Sequence, residues 1–162
     1  MQKKLCGLSI IFVVIDQILK LVISNNIKLN TEIDVIKGLF YITNVHNDGA
    51  AFSMLSGNII FLIFITIISL VVIYLFFIKD KKLKNIEIVL TSMLIGGIVG
   101  NFIDRIIYRY VIDYIGVMIF DYPFPIFNFA DICIVLSVIG LVIYGLKEDI
   151  CKKSELKKKL EE

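Results

Sequence analysis

The sequence predicts an all-α integral membrane protein: a four-transmembrane-helix bundle with a small extracytoplasmic β-sheet in the first outer loop and an amphipathic segment in the second. Three observations predict it. Four long apolar runs, Leu5–Ser24, Ile59–Ile78, Ile86–Ile107 and Phe127–Leu146, fill about half of the 162 residues. Twelve of the 17 basic residues lie at the two ends of the chain and in the link between the second and third runs. The first link between runs carries β-forming residues and turn signals.

The chain is 58% hydrophobic, with a mean hydropathy of +0.88. Soluble domains usually hold about 45–50% apolar residues, so an ordinary soluble enzyme is excluded, as is a polar disordered chain. The length suits a single domain over 1–162. Each run is 20 to 22 residues long, and about 20 helical residues span a hydrocarbon core of about 30 Å. Lys3 and Lys4 before the first run resemble the start of a cleaved signal peptide. Asp16, Gln17 and Lys20 interrupt that run and no small-x-small cleavage site follows, so it is read as a retained helix.

Lys and Arg orient the helices, because cytoplasmic segments retain them. Both termini and the lysine-rich link 79–85 are therefore placed in the cytoplasm, and the loops 25–58 and 108–126 outside. In the first outer loop, Ile33 and Val35 alternate with polar neighbours, Leu39–Val45 is rich in β-formers, and Lys37-Gly38 is the expected turn. Asn47-Asp48-Gly49 is a second turn signal. The second outer loop is aromatic and amphipathic, and Pro123 and Pro125 prevent a helix from running straight into the fourth span. The tail 147–162 has helical i,i+4 charge pairs and is read as a solvated cytoplasmic extension. Cys6, Cys133 and Cys151 are scattered, so neither a disulfide nor a metal-ligand set is expected.

Ionisable groups inside a span cost about 2.5–3.5 kcal/mol each on insertion scales, so they need a reason. Asp16 and Lys20 share a face of the first helix; Asn101, Asp104 and Arg105 share one of the third; Asn128 and Asp131 share one of the fourth. With the orientation above, all three sets lie in the outer half, Asp104 and Asp131 about 5–6 Å below the boundary. Asp113 lies in the adjoining loop. Asp16–Lys20 and Asp104–Arg105 are readable as structural pairs, but four polar clusters at one depth point to a site. Gly96 and Gly100 have the spacing of a close helix-packing face. His46, the only histidine, has Ser53 and Ser56 nearby but no nucleophile-elbow pattern around them. No Gly-rich phosphate loop and no external basic patch for nucleic acid is present.

Asp16-Gln17-Ile-Leu-Lys20, Asn47-Asp-Gly49-Ala50-Ala51-Phe52-Ser53, Gly96-Gly97-Ile-Val-Gly100-Asn101-Phe-Ile-Asp104-Arg105, Val111-Ile112-Asp113-Tyr114 and Phe127-Asn128-Phe129-Ala130-Asp131 together resemble lipoprotein signal peptidase, signal peptidase II. They follow the family's order and cover nearly the whole chain except the tail. The resemblance implies an aspartic endopeptidase of the bacterial cytoplasmic membrane that cleaves prolipoprotein signal peptides just before a diacylglyceryl-modified cysteine. It implies Asp113 and Asp131 as the catalytic pair, with Asp16, Lys20, Asn47, Gly49, Asn101, Asp104, Arg105, Asn128 and Ala130 shaping the site or binding substrate. It further implies a site near the extracytoplasmic face, membrane lipid around the chain, a monomer without cofactor, and inhibition by the cyclic peptide globomycin. Two positions depart from the family's pattern: Arg109 where glycine is frequent, and Tyr114 where phenylalanine is common.

Two carboxylates suit such a reaction. Like charges held about 3 Å apart cannot both ionise, so one keeps a proton to give while the other takes one from water. The rival class is a small proton-coupled transporter, whose carboxylate would sit near the membrane midplane. A scaffolding membrane protein would require neither Asp113 nor Asp131.

Overall fold

The computed structural model describes residues 1–49, 55–79, 82–120 and 122–161, with side chains up to Ser154. Ala50, Ala51, Phe52 and Ser53 of the turn motif and Lys81 of the lysine-rich link lie outside the described residues. Among the described residues, four helices are long and apolar enough to cross a membrane: α1 (Gln2–Asn26), α2 (Ile59–Ile73, continued by a π-helical turn over Tyr74–Ile78), α3 (Asn85–Ile107) and α4 (Phe129–Glu161). Between α1 and α2 lie β1 (Glu32–Ile36) and β2 (Phe40–Asn47); between α3 and α4 lie β3 (Val111–Ile119) and β4 (Tyr122–Pro123).

The bundle inverts the polarity of a soluble protein. Ile10, Leu21, Ile60, Phe64, Val142 and Ile143 are exposed around its outside, while Asp16, Lys20, Thr91, Asp104 and Asn128 are buried. That inversion is expected where the surrounding solvent is hydrocarbon. α3 is the central helix, with α1 and α4 packed along it and α2 more loosely beside it. Its glycines permit the close approach. A Cβ on Gly96 would lie 2.4 Å from Phe12 Cβ of α1, and one on Gly97 would lie 2.5 Å from the Ala130 carbonyl oxygen of α4. The anticipated small-residue face, Gly96 and Gly100, is thus used against α1, Gly100 meeting Asp16, while Gly97 lies against α4.

The sheet is larger than the first loop alone. All four strands join one antiparallel sheet in the order β1-β2-β3-β4. The amphipathic second loop therefore folds as strands, its β-branched residues Val111, Ile112, Ile115 and Val117 pairing against β2. Residues 37–39 form the turn between β1 and β2, as expected. α4 begins at Phe129 rather than Phe127 because the backbone of Phe127 is held by β3: its amide donates to Ile115 O at 3.0 Å and its carbonyl accepts from Ile115 at 2.8 Å. α4 then continues unbroken through the charged tail to Glu161. At the far end of the bundle from the sheet, Lys84 pairs with Glu148, fastening the start of α3 to α4.

Candidate active site

The sheet-end halves of α1, α3 and α4 bring their polar residues together around Lys20. Its ammonium lies 2.9 Å from Asp16 Oδ2 and 2.9 Å from Asp104 Oδ2, and donates to Asn101 Oδ1 at 2.7 Å. Three donors meet three acceptors, the condition under which a buried cation is tolerated. Asp16 and Lys20 pair across one turn of α1, as their spacing predicts, but Asp104 pairs with Lys20 and not with its neighbour Arg105. Gln17 completes the cluster, donating to Asp104 Oδ1 at 2.9 Å and to Gly100 O at 3.2 Å.

The start of α4 is built into the same network. Asn128 is its N-cap: the Asn128 side-chain oxygen accepts the amide of Asp131 at 3.0 Å, and Asp131 Oδ2 accepts the amide of Asn128 at 3.1 Å. This reciprocal capping box satisfies donors that a helix start leaves open. The Ala130 amide donates to Asp16 Oδ1 at 3.1 Å, and the Phe129 amide donates to the Tyr114 hydroxyl at 3.2 Å. Asp131 Oδ1 accepts Asn101 Nδ2 at 2.8 Å. The carboxylate of Asp131 is thus held on both oxygens.

Asp113 comes from β3 and is held by Asn128 and Asn47. Asn128 Nδ2 donates to Asp113 Oδ1 at 2.7 Å and also lies 3.1 Å from Asn101 Oδ1. Asn47 Nδ2 donates to Asp113 Oδ2 at 2.8 Å, and Asn47 Oδ1 accepts the Gly49 amide at 2.9 Å, so the turn signal seen here is an Asx turn. A β-bulge decides this partner. Ile42 faces Ile115 but Val45 faces Asp113, so β2 advances three residues while β3 advances two. The extra residue, in the buried Thr43–Asn44 stretch, reverses the faces beyond it. Without it His46 would share the face of Asp113. With it Asn47 does, and His46 turns away to stack on Tyr110, ring centroids 3.7 Å apart.

Asp113 and Asp131 open onto one cavity of about 500 Å³, whose polar end also holds Asn47, Asn101 and Arg105. Ile132, Val135 and Leu136 continue its wall down α4, so the cavity passes from polar to apolar along the bundle. Burial pushes the Asp113 carboxyl up to about 7, the charge of Asp131 adding to the rise while the hydrogen bonds from Asn47 and Asn128 oppose it. The Arg105 guanidinium reaches Gly49 O at 3.4 Å, and its Nε has no hydrogen-bond partner among the described residues. A second cavity, of about 620 Å³, lies on the other side of Lys20 and Asp104 and contains His46 but neither Asp113 nor Asp131.

The sequence model of the family described as signal peptidase (SPase) II matches residues 8–147. The chain belongs to the signal peptidase II family. The lipoprotein signal peptidases of Staphylococcus aureus strains JH9 and Newman are each 40% identical to it over 148 residues, 91% of this chain and 91% of theirs. A bacterial membrane enzyme structure obtained by the in meso method at 2.3 Å resolution superposes with a TM-score of 0.81 at 39% identity, covering 90% of this chain and 88% of that one. A second such structure, at 1.9 Å resolution, gives 0.78 at 39% identity, covering 88% and 92%.

The sequence-predicted residues of this signal peptidase II chain converge on one cluster. Asp16, Lys20, Asn101 and Asp104 form its base, Asn128, Ala130 and Asp131 the start of α4, and Asn47, Gly49, Asp113 and Arg105 the side under β2 and β3. Gln17 and Tyr114, both within the quoted motifs, join the cluster although the sequence assigned neither a role in the site. Gln17 carries a signal, being polar within an apolar run. Tyr114 carries only its hydroxyl, whose direction depends on the strand's face.

Proposed function

We propose that this protein is an aspartic endopeptidase of the bacterial cytoplasmic membrane, removing prolipoprotein signal peptides by cleavage before the diacylglyceryl-modified cysteine. The observation that carries the reading is the pair of carboxylates, buried Asp113 and half-buried Asp131, bridged by Asn128 and Asn101 and facing one cavity. Asp113, whose carboxyl is raised to about 7, carries the proton in a substantial fraction of molecules at neutral pH, and in those Asp131 is the base that takes a proton from water. The water oxygen attacks the scissile carbonyl carbon while Asp113 protonates the carbonyl oxygen. The proton held by Asp131 then passes to the leaving nitrogen, one hydroxyl of the gem-diol returns its proton to Asp113 as the C–N bond breaks, and a carboxylic acid and an amine result with both carboxyls back in their starting states. Asn101, Asn128 and Asn47 hold the two carboxylates in register, so little reorganisation accompanies the reaction. Arg105, over the polar end, is placed to take a substrate carbonyl.

The apolar wall along Ile132, Val135 and Leu136 suits a signal peptide that is itself apolar, with its lipid. Asp104 lies three residues before the end of α3 and Asp131 is the third residue of α4. That depth suits cleavage at the membrane boundary and not the midplane carboxylate of a transporter. With the termini cytoplasmic, the site faces outward, and the protein acts as a monomer.

The test is incubation of purified protein with a diacylglyceryl-modified prolipoprotein and mass spectrometry of the products. A product beginning at the lipidated cysteine, absent with the unmodified precursor and blocked by globomycin, is expected. No cleavage, or cleavage elsewhere, would contradict the reading.

A further inference from the structure

We propose that Tyr114 is a positioning residue for Asp131, tying the strand that carries one carboxylate to the helical turn that carries the other; this role rests on the peptidase reading above. Asp113 and Tyr114 are consecutive on β3 and point to opposite faces. Asp113 meets Asn128 and Asn47 in the cavity, while the Tyr114 hydroxyl accepts the Phe129 amide at 3.2 Å. That amide is the first of α4, two residues before Asp131.

The remaining side-chain bonds to this turn come from other elements. Asp16 of α1 accepts from Ala130, and Asn128, the cap itself, accepts from Asp131. From β3, Asp113 bonds the Asn128 side chain, whereas the Tyr114 hydroxyl bonds a backbone amide of the turn. Backbone bonds close the other side of the link: the Tyr114 and Ile115 amides donate to Phe127 O at 3.1 and 2.8 Å. Residues 113–115 and 127–131 are thereby one unit, and the separation of the two carboxylates is set inside it.

The phenol is suited to the task. It is buried, at 6% exposure, and burial raises its hydroxyl above the usual phenol range, so it accepts the amide without adding charge beside Asp131. A phenylalanine would keep the ring's packing and leave the Phe129 amide unpaired. In a buried site such a donor seeks the nearest acceptor, and the carboxylates of Asp16 and Asp131 are the acceptors already on that turn.

The experiment removes each partner of the bond in turn. Tyr114→Phe removes the acceptor. Phe129→Pro removes the donor at the first helical position, where proline is well tolerated. Both variants and the double variant are compared with wild type for cleavage of a lipidated prolipoprotein. Each single change is expected to lower kcat by roughly three- to thirtyfold, with KM within about twofold, because misplacement of a catalytic group acts on the reacting complex and not on substrate capture. Each should also displace the pH profile of kcat, and the double variant should be no worse than the singles. Native kcat and pH profile in either folded single variant would overturn the role. So would multiplicative losses in the double variant, which would show that the Tyr114 hydroxyl and the Phe129 amide act independently of each other. Failure of the wild type to cleave would overturn the peptidase reading itself.

Discussion

Asn128 and Asp131 exchange hydrogen bonds, the side chain of each accepting the backbone amide of the other at 3.0 and 3.1 Å. The motif is an ordinary helix cap made from one residue proposed to be catalytic and one that touches both carboxylates. The cap that starts α4 is also the device that orients the pair. Asn128→Ala should cost about 1 kcal/mol of stability through the lost cap and reduce cleavage at least tenfold through the lost amide. Asn128→Asp retains a capping oxygen but brings a carboxylate against Asp113. Because two buried carboxyls then oppose each other, it should keep the cap but recover neither the activity nor the full stability. Thermal unfolding read beside kcat/KM separates the two.

Lys20 holds two buried carboxylates at 2.9 Å each. Lys20→Met leaves both unpaired, and breaking a buried ion pair from one side costs about 3–5 kcal/mol. Denaturation in detergent should show that loss, together with loss of cleavage, although Lys20 contacts neither Asp113 nor Asp131 directly. A variant of native stability would contradict the account of the hub.

How much of this was legible in the sequence depends on the range of each contact. The Asp16–Lys20 pair follows from i,i+4 spacing on one helix, and the polar faces of α3 and α4 follow from the same period. The third partner, Asp104, depends on how closely α1 and α3 approach, which Gly96 and Gly100 hint at without fixing the register. The segment around Asp113 read as amphipathic; its pairing with β2, some 65 residues away, is non-local. The bulge at Thr43–Asn44 is the clearest limit. Strict alternation from Ile42 puts His46 beside Asp113, and one inserted residue puts Asn47 there instead.

Gly97 faces the start of α4, where a Cβ would lie 2.5 Å from Ala130 O and 2.9 Å from Ile134. Gly97→Ala must push α4 away from α3. Overpacking of this kind costs about 1–3 kcal/mol, and the displacement carries Asp131 with it. Cleavage should fall by more than the stability loss alone explains, measured well below the unfolding temperature.

The pH dependence follows from Asp113. Its carboxyl is raised to about 7 in the folded protein from an ordinary 3.8. The folded state therefore binds more protons than the unfolded one between those values, so stability falls as pH rises through that window and levels off above it. Activity needs Asp113 protonated, so kcat/KM should decline above about pH 7. A flat profile to pH 9 would remove Asp113 as the proton donor.

The most direct measurement compares wild type, Asp113→Asn and Asp131→Asn on a diacylglyceryl-modified prolipoprotein, each variant first shown to be folded by thermal unfolding. The paired-carboxylate account predicts that wild type cleaves before the lipidated cysteine and that each variant loses at least about a thousandfold in rate, since a lone carboxylate lacks either the acid or the base. Cleavage at the wild-type rate by either folded variant would contradict it.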